Sequence, residues 1–245
     1  MKLRLDQLLV QRGLAESRTK AQALILAGKV FSGGTRLDKP GHHVAQDLEL
    51  DVRRPDHPWV SRGGIKLAHG LDRFAIEVAG TTAIDIGAST GGFTDVLLSR
   101  GAAKVYAVDV GRGQLAWRLR EDPRVVVLEG VNARHLTREH VPEPAELLVA
   151  DASFIGLETV LPAAIALTAP EARLIALIKP QFEVGKGRVG KGGIVRDPAL
   201  HRAVCVRISA WLAGLDGWTV LGTTESPITG TDGNVEFLIA AHKRP

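Results

Sequence analysis

The chain has 245 residues, 45% of them hydrophobic, enough for one medium α/β domain and a smaller companion. Its one cysteine, Cys205, excludes an internal disulfide, and with no HExxH or CxxC pattern no metal is expected. Charges in Met1-Lys2-Leu3-Arg4-Leu5-Asp6 stand where a leader's apolar stretch would be, and the apolar runs fall short of the roughly 18 residues of a membrane helix; no leader is expected, and a cytoplasmic protein with no membrane partner is. The formal net charge is only +4, yet residues 1–36 hold seven basic side chains against two acidic ones, which suits a nucleic-acid-facing surface.

At the start, Leu5, Leu8 and Leu9 predict a short helix stopped at Arg12-Gly13. Ser17 predicts the cap of a second helix, with Ala21, Leu24, Ile25 and Ala27 on its apolar face and Gly28 at its end. Short strands follow at Val30-Phe31, at Val44 and over 48–52, with a turn at Ser32-Gly33-Gly34. The charged, proline-containing stretch 53–58 reads as a linker, dividing the chain into 1–58 and 59–245. Residues 4–34, RLDQLLVQRGLAESRTKAQALILAGKVFSGG, resemble the ribosomal-protein S-four-like (alpha-L) RNA-binding module in the opening Arg4-Leu5-Asp6, the Ser17-Arg18 helix start and the Gly28-x-Val30 exit. That module usually continues with Val-Asn-Gly where this chain has Phe31-Ser32-Gly33-Gly34. The resemblance implies that Arg4, Arg18, Lys20 and Lys29 grip structured RNA.

Residues 83–117 carry the next signal. An apolar run over 83–86 leads through Asp85-Ile86-Gly87 into the small turn Ala88-Ser89-Thr90-Gly91-Gly92, then an amphipathic stretch from Phe93 to Leu98. A second apolar run over 105–108 ends on Asp109. Strand, glycine turn, helix, strand and acid make half of a nucleotide-binding unit: the turn lets a ligand approach the backbone, and an acid at the second strand's tip accepts from ribose hydroxyls. A dinucleotide site wants a second glycine where Ser89 stands. Asp85 would repel a pyrophosphate but suit an ammonium and a sulfonium, which selects S-adenosylmethionine, with its ribose at Asp109. The turn residues Gly87, Ser89, Thr90, Gly91 and Gly92, with Phe93, complete the candidate cofactor set.

Further strands are predicted over 125–128, 147–150, 173–178, 218–224 and 235–240, with helices between most of them and the clearest over 200–212. The alternation predicts a doubly wound, mostly parallel α/β sheet of the Rossmann type. Ligands in such sheets bind beyond the strands' carboxyl ends. Asp151 and Lys179 stand at two such ends, and Pro180 keeps Lys179 out of a helix. Glu236 interrupts an apolar strand, so it needs a cationic partner or a task, unless the strand is an edge and the carboxylate faces water.

The chain as a whole resembles the hemolysin A (TlyA) family of ribosomal RNA ribose 2′-O-methyltransferases, in which the S-four-like module precedes a domain similar to the FtsJ-type RNA methyltransferases. The matching motifs are Ser61-Arg62-Gly63-Gly64-x-Lys66-Leu67, Asp85-Ile86-Gly87-Ala88-Ser89-Thr90-Gly91-Gly92-Phe93, Asp151-Ala152-Ser153-Phe154-Ile155, Ile178-Lys179-Pro180-Gln181-Phe182-Glu183 and Gly233-Asn234-x-Glu236. The resemblance implies a catalytic tetrad of Lys66, Asp151, Lys179 and Glu236, with Lys179 acting either as base or as electrostatic stabiliser of the ribose oxygen. It adds Asn132 and Ala133 to the cofactor set, with Asp151 serving both, and ribosomal RNA or ribosomal subunits as partner. Arg62 and the basic glycine-rich stretch with Lys186, Arg188 and Lys191 are candidates for the RNA backbone, and Phe154, Phe182 and Trp59 for base stacking. Against this stand a membrane-lysing protein, a non-catalytic ribosome-assembly factor and an NAD enzyme. Monomer and weak dimer are both compatible with the sequence.

Overall fold

In the computed structural model, residues 2–53, 57–185 and 187–244 are described, and the chain divides into two units, Met1–Pro58 and Trp59–Pro245. In the first, β1 (Lys2–Arg4) runs into α1 (Leu5–Gln11), followed by α2 (Arg18–Leu26). Ser17 caps α2 by accepting the Lys20 N–H at 3.2 Å, and Gly28 ends it at φ +67°. β2 (Val30–Ser32) pairs with β3 (Thr35–Arg36) and β5 (Asp51–Val52), while β4 (His43–Ala45) pairs with β1. The strand expected over 48–52 is therefore confined to its last two residues; Leu48 and Leu50 pack on the core of Leu5, Leu8, Leu9, Ala21 and Ile25 from irregular backbone. Residues 54–56 of the expected linker lie outside the described residues.

The second unit contains α3 (Gly63–Arg73), β6 (Thr82–Ile86), α4 (Gly92–Ser99), β7 (Lys104–Asp109), α5 (Trp117–Arg120), β8 (Val125–Glu129) and β9 (Ala145–Ala150). It continues through α6 (Leu157–Val160), α7 (Pro162–Ile165), β10 (Thr168–Ile178), α8 (Pro180–Glu183), α9 (Pro198–Ala213), β11 (Trp218–Glu225) and β12 (Phe237–Lys243). The strands form one seven-stranded sheet in the order β11-β12-β10-β9-β6-β7-β8. Only β12 runs against its neighbours. Side chains alternate between faces, so both must be covered. Ala83, Val105, Leu147 and Ile175 point into one core with Leu67, Leu71, Val96 and Leu97, from α3 and α4. Ile84, Tyr106, Leu148 and Leu174 point into the other, with Val204, Ile208 and Leu212 from α9. This is the doubly wound α/β fold, and its strand order reverses between β6 and β9.

One strand starts later than expected. β12 begins at Phe237, so Glu236 is not within it, and β12 is an inner strand between β10 and β11. The edge-strand alternative for Glu236 is thereby removed: the residue sits just before an inner strand and is 3% exposed.

Beneath the glycine turn, Asp85 on β6 is fully buried and accepts the Thr94 hydroxyl of α4 at 2.7 Å, while its Oδ1 has no hydrogen-bond partner among the described residues. Burial pushes this carboxyl up to about 7; the Thr94 bond opposes the shift and the nearby Asp151 and Asp109 charges add to it. A raised value means that Asp85 contributes fully to stability below about pH 4, and that the contribution fades as pH rises through the folded-state value. Asp85→Asn should accordingly gain stability relative to the parent between pH 5 and pH 8. Urea unfolding followed by tryptophan fluorescence at both values checks this; parallel pH slopes would show that Asp85 ionises freely in the fold.

Candidate active site

A cleft of about 680 Å³ opens at the carboxyl ends of β6, β7 and β9, where the strand order reverses. Gly87 and Ser89 form its floor after β6, Asp109 and Val110 follow β7, Asn132 and Ala133 follow β8, and Asp151 to Ile155 follow β9. Gly87 sits at φ +81°, and a Cβ there would stand 2.6 Å from the carbonyl oxygen of Asp151, so only glycine lets β6 and β9 end side by side. Ser89, at φ +48°, donates its N–H to Asp109 Oδ2 at 2.8 Å, while Oδ1 accepts the Gly111 N–H at 2.7 Å. Each oxygen of Asp109 keeps a lone pair for a ligand. Asn132 caps a short 3₁₀ turn by accepting the Arg134 N–H at 3.1 Å.

The four residues of the expected tetrad appear as two ion pairs. Lys66 on α3 meets Glu236 at 2.5 Å, and Lys179, at the end of β10, meets Asp151 Oδ1 at 2.5 Å. Lys179 also donates to Ser153 Oγ at 2.9 Å, from an extended backbone that Pro180 enforces. The two pairs lie near each other through α3, since a Cβ on Gly63, one turn before Lys66, would stand 3.7 Å from Asp151 Oδ2. Both lysines are less than a tenth exposed. A lysine side chain so removed from water needs a charged partner in good geometry, and each of these two has one.

A second layer holds this wall in place. Glu183, on the helix that Lys179 precedes, accepts the Leu157 N–H at 2.7 Å and pairs with Arg207 at 2.7 Å. Arg207 also bonds the main-chain oxygen of Glu183 at 3.1 Å and pairs with Glu158. Burial raises the Glu183 carboxyl, with the Leu157 bond opposing. The segment carrying Asp151, Ser153 and Phe154 is thus tied to the Lys179 segment at its far end. Phe154 itself has φ +65° and is 90% exposed, with its ring centroid 5.0 Å from that of Phe182.

Several expected site residues serve other ends. Asp85, Thr90, Gly91, Gly92 and Phe93 do not line the cleft. A Cβ on Gly91 would collide with Leu119 and one on Gly92 with Ser61, so these glycines admit close packing, and Phe93 belongs to the core. Trp59, partly buried, packs on Gly64 and the α3 core. In the first unit, Arg4 and Arg18 both bond the buried Asp6, at 2.9 and 3.0 Å, with Gln22 at 2.9 Å. The Arg4 bonds above all hold the Asp6 carboxyl well below the usual carboxylate range. These two arginines are therefore half-committed to structure, whereas Lys20 and Lys29 are exposed. Arg62, Arg188 and Lys191 are exposed too, and Lys186 lies outside the described residues. Sequence reasoning missed Ser153, Gln114, Arg134 and the Glu183–Arg207 brace. It also missed the task of Asn234, which is 1% exposed and pins the glycine-rich stretch by accepting from Val195 N–H at 3.0 Å and donating to the Gly193 carbonyl at 3.0 Å.

Comparison with known proteins agrees with this geometry. Residues 59–243 match the FtsJ-like methyltransferase family and residues 3–50 match the S4 domain. The 16S/23S rRNA (cytidine-2′-O)-methyltransferase TlyA of Mycobacterium tuberculosis is 53% identical over 237 residues, 96% of this chain and 88% of that one. Hemolysin A of Brachyspira hyodysenteriae is 40% identical over 96% of this chain and 98% of its own. A solved structure described as a hemolysin from Streptococcus thermophilus superposes with a TM-score of 0.75 at 41% identity, covering 99% of this chain and 89% of that one. No helix among the described residues is long and apolar enough to cross a membrane. A methyltransferase cleft, an S4 domain ahead of it and relatives matched over nearly their whole length agree: the chain belongs to the TlyA family of FtsJ-like methyltransferases.

Proposed function

We propose that the protein transfers a methyl group from S-adenosylmethionine to a ribose 2′-hydroxyl of ribosomal RNA in the cytoplasm. The observation that carries this reading is that Asp151, which lines the cleft together with Asp109, is ion-paired to Lys179 behind it. The cleft is of a size for a nucleoside-bearing cofactor, and its donors suit one: Asp109 for ribose hydroxyls, Asn132 and Ala133 beside it, Gly87 and Ser89 beneath, and Asp151 toward a cationic group. When bound, S-adenosylmethionine supplies the activated methyl group. Of the two roles open to Lys179, stabiliser fits better than base, because its amine is already ion-paired and hydrogen-bonded. The ammonium would offset the charge that develops on the 2′-oxygen as its proton leaves, while Ser153 and Asp151 fix its direction. Lys66 and Glu236 balance one another behind it. Phe154, beside the pair and in solvent, is placed to stack on the base of the target nucleotide.

Four outcomes test this. Asp109→Ala should weaken cofactor binding by about 1–3 kcal/mol in calorimetry, since ribose hydroxyls would lose their acceptor; unchanged affinity would move the ribose elsewhere. Lys179→Ala should slow methyl transfer by about 10²–10⁴-fold in single-turnover assays with radiolabelled donor and deproteinised ribosomal RNA, with cofactor affinity largely kept. Glu236→Gln should also slow it, by leaving the Lys66 ammonium without a counter-charge; near-normal rates in both would refute the tetrad. Removing residues 1–52 should sharply reduce affinity for ribosomal RNA and leave cofactor affinity nearly unchanged, because the cleft lies wholly within the second unit. Undiminished RNA affinity in that truncation would take the RNA-binding role away from the first unit.

A further inference from the structure

Two aromatic side chains of the catalytic unit stand far out in solvent, Phe154 at 90% and Trp117 at 74%. The unit's other tryptophans pack: Trp218 is buried, Trp211 lies against one core and Trp59 against the other. A lone exposed apolar residue needs no explanation, but Trp117 has a rigid mount and a particular address. Its neighbours Leu115 and Leu119 fill the space left by the absent side chain of Gly91, and the Ala116 N–H donates to the Thr90 carbonyl at 3.1 Å. Gln114, three residues earlier, lines the cleft and accepts the Ser89 hydroxyl at 3.2 Å. Because β9, β6 and β7 are adjacent in that order, Phe154 (after β9) and Trp117 (after β7) flank the glycine turn that follows β6.

Trp117 has charged neighbours of both signs, the exposed Glu121 one helical turn on among them. Arg112 and Arg118 are both exposed. Arg118 is anchored by the buried Asp95, which also accepts the Val60 N–H at 2.8 Å. Two residues beyond Val60 comes the exposed Arg62, and then Gly63, which lies against Asp151. The residue after Trp117 is thus tied through Asp95 to the Val60 backbone, two residues before Arg62. We infer that Trp117 is a stacking platform for an unpaired base of the RNA flanking the target nucleotide, with Arg112 and Arg62 on the phosphates between. This rests on the RNA-methyltransferase reading above and extends it: the RNA is single-stranded or splayed open at the cleft and is held on both sides of the glycine turn. Stacking on an aromatic face tolerates any base, so this platform would add affinity and direction more than sequence choice.

The test uses the full-length protein and deproteinised ribosomal RNA in filter binding. Trp117→Ala should weaken binding about tenfold, and Trp117→Phe, which keeps a ring, should stay within about threefold of the parent. Both should keep the parental melting temperature and cofactor affinity. Arg112→Gln should flatten the dependence of affinity on salt by about one phosphate contact. Tight binding by the parent that Trp117→Ala leaves intact would overturn this surface alone. A change in sedimentation with intact RNA binding would overturn it too, in favour of contact between copies. A parent that binds ribosomal RNA no better than an unrelated basic protein would overturn the functional reading and this surface with it.

Discussion

Two lysine–carboxylate pairs with little access to water are the constraint around which the catalytic unit is arranged. Taking an ammonium and a carboxylate out of water costs several kcal/mol per ion unless each finds the other in good geometry. Lys66 can meet Glu236 only if α3 lies across the start of β12, and Lys179 can meet Asp151 only if β10 lies beside β9 and runs two residues past its end. The parallel register that aligns Ile175 with Val149 and Ala176 with Ala150 supplies the second condition. The packing of Gly70 against Ile175 and Leu238 supplies the first, since a side chain there would hold α3 off the sheet. A fold that tolerates buried charge only in pairs thereby fixes both lysines in place.

The glycine turn shows how a single motif divides its labour. Gly87 lets two strand ends meet, Gly91 makes room for Leu115 and Leu119, and Gly92 admits Ser61 at the head of α3. Only the first of these borders the cleft. Ser89 carries the ligand-facing part of the turn and accepts a left-handed backbone to do so, held there by the Asp109 carboxylate. Asp109 therefore organises the turn before it meets any ligand, and its loss would loosen the floor of the cleft as well as remove an acceptor.

Electrostatics in the first unit follow the same economy of buried charge. Asp6 has no water and gathers Arg4, Arg18 and Gln22 around it, so part of the positive charge at the N-terminus is spent on holding α1 to α2. Lys20 and Lys29, by contrast, stand in solvent. Counting basic residues overstates a basic surface wherever a buried acid lies among them.

The sequence by itself determined the order of elements, the doubly wound class and the strand ends at Asp109, Asp151 and Lys179. These are local matters: period-two apolar runs, a proline that forbids helix at Lys179, and a turn whose glycines have few alternatives. It also marked Glu236 as needing a partner, because a carboxylate among apolar neighbours is legible one residue at a time. Which cation it meets was not legible, since 170 positions separate it from Lys66 and no periodicity spans that gap. Tertiary structure alone decided that β12 is an inner strand, that Gly91 and Gly92 serve packing, and that Arg207 braces the Lys179 wall through Glu183. It alone set Trp117 and Phe154 on either side of the turn. The reason is common to all of these: side-chain pairings across a sheet depend on strand order and register, which are set by how both faces are covered and not by any stretch of chain read alone.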